Sequence, residues 1–180
     1  MPVLTIRAGP YHPAEMSDPE CGIPIESYAT MPFLEASVSV GGSIEQVFDF
    51  LTTTDNLLKL VPEDLKLRAV KVPARLELGS QMELQILAFG PPQNVVYEIT
   101  EFARPHRFTE TQVKGLLGRY VHEHALIAQP GGTLLVSDRI EFEPPGGLMG
   151  LMLTADRLRT MLERGITHRQ TALKRLLDAS

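Results

Sequence analysis

From Phe33 the chain alternates. Ala36, Val38 and Val40 fall on one side, and Glu35, Ser37 and Ser39 on the other, the period of a half-buried strand. Gly41-Gly42 ends it. Ser43-Ile44-Glu45-Gln46 reads as a capping box, and Ile44, Val47, Phe48 and Leu51 follow at helical spacing. A second short helix fits Thr54 to Val61, stopped by Pro62. Period-2 segments then recur: Leu65 to Val72, Gln81 to Phe89, a strand carrying Val95, Tyr97 and Ile99, Phe108 to Val113, Tyr120 to Ala128 and Thr133 to Phe142. Turn signals separate them (Gly90-Pro91-Pro92, Arg104-Pro105, Gly115-Leu116-Leu117-Gly118 and Pro130-Gly131-Gly132), which predicts an antiparallel meander. After Pro144-Pro145-Gly146-Gly147 the period lengthens. Leu148, Leu151, Ala155, Leu158, Leu162, Gly165, Ala172 and Leu176 make one stripe of a helix spanning Leu148 to Leu177. Some thirty residues of helix reach about 45 Å, enough to cross a whole sheet.

The first 32 residues break this regularity. Six of the 14 prolines lie there, at Pro2, Pro10, Pro13, Pro19, Pro24 and Pro32. Only a short strand such as Val3 to Arg7 is expected, so residues 1–32 read as an arm and 33–180 as the domain. An ordered arm has to dock, on its own domain or on a second copy, and reciprocal exchange would give a twofold homodimer. Val3, Leu4, Ile6, Ile23 and Ile25 are its apolar side chains.

Composition narrows the function classes. With 180 residues and 43% hydrophobic positions, one core is expected and no staple is needed. The single cysteine, Cys21, excludes an internal disulfide framework, and no basic residue adjoins it to activate the thiol. A net charge of −5, no tryptophan and 6% aromatics argue against nucleic acid as a partner. No apolar run has the ~18 residues a membrane span needs, so no membrane insertion is expected. Met1 to Gly9 shows no secretory pattern, and a cytoplasmic protein is the expectation.

The order strand, two short helices, six strands, long helix resembles the helix-grip (SRPBCC) superfamily of START-like and birch-pollen-allergen-like proteins. The nearest likeness is its bacterial polyketide cyclase/dehydratase-like, ligand-binding branch. The likeness is carried by Ser43 to Leu51, Phe102-Ala103-Arg104-Pro105-His106-Arg107-Phe108, Tyr120-Val121-His122-Glu123-His124, Gly131-Gly132-Thr133 with Asp138-Arg139-Ile140, and Pro144 with the Gly-rich entry to the last helix. It covers about residues 33–178; the arm lies outside it. It implies an α+β fold, with a curved antiparallel sheet of about seven strands wrapped on the C-terminal helix and an apolar cavity between them. The branch holds both binders of lipids or polyketides and enzymes.

The informative anomaly is polar. The even face of the last three strands carries the larger apolar load and is assigned inward, yet it includes Glu110, Gln112, His122, His124 and Asp138. Burying such groups unpartnered costs about 1–3 kcal/mol each. Three-residue hairpin loops at Leu116-Leu117-Gly118 and Pro130-Gly131-Gly132 would set Gln112 opposite His122, Glu110 opposite His124, and His124 opposite Asp138. Three readings follow. One is a satisfied polar network that orients a ligand. Another is acid–base catalysis of cyclisation or dehydration, with His124 or His122 as base and Glu110 or Asp138 as orienter. The third is a metal held by His-x-His and a cross-strand Glu; the Glu that cupin-like motifs place soon after His-x-His is missing, and neither metal nor cofactor is expected.

The expected function is the binding of a small hydrophobic or amphipathic molecule, the alternatives being a cyclase- or dehydratase-like enzyme and an interaction protein with a vestigial cavity. Met82, Leu84, Ile86, Tyr97, Ile99, Gln112, Tyr120, Leu151 and Leu158 are expected to line a cavity of a few hundred cubic ångströms.

Overall fold

The computed structural model describes residues 5–10, 32–88 and 91–178. Eight strands form one antiparallel sheet: β1 (Thr5–Pro10), β2 (Pro32–Val40), β3 (Leu67–Lys71), β4 (Gln81–Ile86), β5 (Gln93–Ala103), β6 (Arg107–Lys114), β7 (Arg119–Ala128) and β8 (Leu134–Glu143). Their spatial order is β1-β2-β8-β7-β6-β5-β4-β3. Helices α1 (Ile44–Leu51) and α2 (Thr54–Leu58) follow β2, and α3 (Gly147–Met152) and α4 (Ala155–Asp178) follow β8. β2 to β8 are the seven expected strands. The eighth, β1, comes from the arm and pairs with β2 of its own chain, from Thr5 opposite Ser37 to Pro10 opposite Pro32. Val3, Leu4, Ile23 and Ile25 lie outside the described residues, as does the side chain of Ile6.

The capping box forms as read. Gln46 N donates to Ser43 Oγ (3.2 Å) and Ser43 N donates to Gln46 Oε1 (3.1 Å), so α1 starts where two orphan backbone donors meet side chains. Phe48 on α1 is fully buried, edge-on to Phe102 and Phe108. It anchors the larger core cluster, in which α1, α2 and the end of α4 (Ala172, Leu173) pack on the sheet. A second cluster joins Leu34, Ala36, Ile140 and Phe142 to Leu158 and Ile166 of α4. The space between these clusters is where the site lies.

Two expectations need correction. The long helix is broken at Leu153-Thr154: Leu158 N donates to Thr154 O (2.9 Å) and Arg157 N to Thr154 Oγ1 (3.5 Å), so Thr154 starts a new helix. The Leu148–Leu151 part of the stripe therefore belongs to α3, and Leu151 is 76% exposed rather than cavity-lining. The β6–β7 register is also two residues from the expected one. Glu110 faces His122, and Phe108, not Glu110, faces His124. The last paired residues before the hairpin loop are Thr111 and Val121, and within the loop region Gln112 Nε2 donates to Leu117 O (3.0 Å). Gln112 is thus a loop brace and does not line the cavity. The β7–β8 register is as read, with His124 opposite Asp138.

Candidate functional site

A cavity of about 1230 Å³ lies between the sheet, α2 with the turn after it, and the middle of α4. It is larger than expected because it opens to solvent, past the exposed side chains of Lys59, Asp64 and Arg164. Met82, Leu84, Ile86, Tyr97 and Tyr120 line it. Ile99 and Leu158 do not. Ile99 is fully buried in the cluster with α1, and Leu158 is buried in the cluster with Leu34 and Phe142.

The polar residues meet at the cavity's inner wall. Strand pleating puts Glu110, His122, His124 and Asp138 on the inward face, and pairing brings them together across three strands. Glu110 and His122 reach the cavity surface; His124 and Asp138 are wholly buried behind them. His122 Nδ1 lies 3.2 Å from Glu110 Oε1 and 3.3 Å from the Tyr120 hydroxyl, and its Nε2 lies 3.2 Å from Asp138 Oδ1. His124 stacks on Phe108 at 4.3 Å between ring centres, with Nδ1 2.5 Å from the same Asp138 oxygen. Arg169 Nη2 also lies 3.1 Å from that nitrogen. Arginine only donates and a carboxylate only accepts. The shorter contact requires the proton on His124 Nδ1, directed at Asp138.

Asp138 is the hub. Arg169 Nε donates to both of its oxygens (3.2 Å each), and Gln170 Nε2 donates to Oδ2. Arg169 and Gln170 are the functional residues that pattern reading passed over. For Arg169 the signal was present: Leu162, Gly165, Arg169, Ala172 and Leu176 step by three and four, which sets a charge on the apolar stripe.

The charges balance. Burial pushes the Asp138 carboxyl up, but the Arg169 guanidinium and the histidine hydrogen bonds hold it well below the usual carboxylate range. Burial also opposes ionisation of Glu110, and its interactions with the neighbouring His122 and His124 overcome it. For His122, burial disfavours the cation, yet hydrogen bonds to Asp138 and Glu110 raise its pKa above the ordinary value. His124 goes the other way: burial, the His122 charge and Arg169 lower it. Two carboxylates thus face the Arg169 guanidinium and His122, which holds a proton more tightly than an ordinary imidazole, beside His124, which holds one less tightly. Burial raises the phenols of Tyr97 and Tyr120, so both stay protonated hydrogen-bond donors.

One group has no partner. His124 Nε2 is buried without a hydrogen bond and faces Glu110 Oε1 at 3.8 Å. One donor atom from each of Glu110, His122 and His124 lies within 4.8 Å of the other two.

A family model described as polyketide cyclase/dehydrase and lipid transport matches residues 31–178. No curated protein matches. Among solved structures, the chain is similar to the ZhuI aromatase/cyclase from a Streptomyces species, at 14% identity and a TM-score of 0.65, covering 82% of this chain and 94% of that one. A protein from Thermus thermophilus aligns at 17% identity and a TM-score of 0.62, over 82% of this chain and 98% of that one. A START superfamily protein from Mycobacterium smegmatis aligns at 11% identity and a TM-score of 0.54, over 82% and 97%. At such identities the likeness shows the fold, which is the helix-grip arrangement expected. Among the described residues no helix is long and apolar enough to cross a membrane.

Proposed function

The chain belongs to the polyketide cyclase/dehydrase and lipid transport family, and on that premise we propose that it binds a small hydrophobic or amphipathic molecule between the sheet and α4. The observation that carries this reading is the cavity itself. It is open, apolar along Met82, Leu84 and Ile86, and polar at one end, where Glu110, His122, Tyr97 and Tyr120 gather. An apolar body gains about 0.8 kcal/mol per buried methylene. Its polar head meets two phenol donors and an imidazolium, which suits a carbonyl, hydroxyl or carboxylate oxygen.

A cyclase- or dehydratase-like reaction is the second reading, favoured by His122 standing at the wall between two carboxylates. Aldol-type dehydration needs a base to take the α-proton and an acid to protonate the departing hydroxyl. His122, with its pKa raised by the two carboxylates, is suited to the acid's part. Its neighbour Glu110, held far below its ordinary value, is a feeble base. His124, wholly buried, cannot touch a ligand. This imbalance favours binding over catalysis. Native mass spectrometry after gentle purification tests the proposal. A co-purified hydrophobic mass, removed by organic extraction and restored by added lipid or polyketide-like compound, is expected. A chain that carries no such mass and takes up none of these compounds would overturn it.

A further inference from the structure

We propose that Glu110, His122 and His124 form a binding site for a divalent transition metal of the zinc class. Asp138 Oδ1 lies 3.2 Å from His122 Nε2 and 2.5 Å from His124 Nδ1. Because an ionised carboxylate only accepts, both of those nitrogens carry protons. In the neutral rings the lone pairs then sit on His122 Nδ1 and His124 Nε2. Both turn toward one oxygen, Glu110 Oε1, at 3.2 and 3.8 Å.

Three acceptors converging on one point repel unless a cation stands among them. A proton on His122 Nδ1 relieves the shorter contact and leaves His124 Nε2, fully buried, with nothing to bind. A metal ion satisfies all three. Tetrahedral ligands at zinc distances stand about 3.4 Å apart, and the two measured separations bracket that value. Two imidazoles and a carboxylate are a borderline donor set that selects zinc-like ions over calcium or magnesium.

The surroundings match those of a built site. Histidine ligands generally donate their far N–H to a carboxylate, which fixes ring orientation and raises basicity. Here one buried carboxylate does this for both rings and is itself fixed by Arg169 and Gln170. The strand framework spaces the two histidines on one face, and Glu110 enters from the paired strand. With Glu110 and His122 at the cavity surface, and the Tyr120 hydroxyl 3.3 Å from His122 Nδ1, the remaining coordination position opens on the cavity. Three protein ligands and one open position is the pattern of zinc sites that polarise a bound oxygen.

The site shares Glu110 and His122 with the cavity wall, so its test omits any organic ligand and reads the metal alone. Metal-stripped, delipidated full-length protein is titrated with zinc by calorimetry and with cobalt(II) by visible absorption. One saturable equivalent per chain is expected, with a cobalt ligand-field band of a four- or five-coordinate site. Glu110→Gln, with unchanged circular dichroism, should abolish the band. Asp138→Asn, which removes no ligand, should weaken zinc about 10- to 100-fold. His106→Gln, at an exposed position away from the cluster, should leave binding unchanged. Absence of saturable uptake by the wild-type chain overturns the proposal without recourse to variants. So does a band that survives Glu110→Gln.

Discussion

Arg169 Nε reaches both carboxylate oxygens of Asp138 at 3.2 Å, joining α4 to the interior strand β8. Both groups are buried, and each neutralises a charge that the protein interior would otherwise reject. Replacing Arg169 by Met keeps the bulk and leaves the Asp138 charge without its counterion. Loss of about 3–5 kcal/mol in urea-induced unfolding is expected. A loss below about 1 kcal/mol would show that the histidines alone satisfy Asp138.

The two histidines titrate in opposite senses in the metal-free protein. His122, raised above 6.5, binds its proton more tightly folded than unfolded, so its contribution is complete below pH 6.5 and lost as pH rises through the folded value. His124, lowered below 6.5, is protonated first in the unfolded chain, so stability falls as pH drops from 6.5 toward its folded value. Glu110 and Asp138, both depressed, stabilise above their ordinary values of 4.5 and 3.8, and that support is lost in stronger acid. Stability should therefore peak near pH 6.5. NMR titration of the ring protons should find His122 above that pH and His124 below it; the reverse order would contradict the assignment.

Gly165 lies on the cavity side of α4, and a Cβ there would meet nothing within 4 Å. A glycine inside a helix costs about 0.5–1 kcal/mol relative to alanine. Gly165→Ala should raise stability by that amount in thermal or urea unfolding. Gly165→Phe should place a ring in the cavity and remove any co-purified hydrophobic mass while the fold persists. Undiminished ligand uptake by the folded Phe variant would move the ligand elsewhere.

β1 covers the edge of β2, which would otherwise offer unpaired backbone groups to other chains. Deleting residues 1–10 should lower the melting temperature and raise the mass seen by light scattering through edge pairing. A truncated chain with both quantities unchanged would make the arm a passenger.

Much of this molecule is readable from local chemistry. Ser43 and Gln46 cap α1 because a box of this kind is closed by four consecutive residues. The strands announce themselves by alternation, since pleating sends neighbouring side chains to opposite faces whatever lies beyond. The pairing of His124 with Asp138 follows from the short Pro130-Gly131-Gly132 turn, where Gly131 and Gly132 both adopt positive φ and fix the hairpin. Where a distant group intervenes, pattern reading fails. The β6–β7 register differs by two residues from the one a three-residue turn implies, which keeps every side chain on its face while changing each partner. Arg169 on the apolar stripe and Gln170 beside it have no visible partner until β8 brings Asp138 beneath them, 31 and 32 positions earlier in the chain. The sequence by itself determined which elements form and which faces are apolar, because those depend on neighbours one to four residues away. Only the tertiary structure decided which charges are buried together, because a buried charge is tolerated only when folding delivers its counterion from elsewhere in the chain.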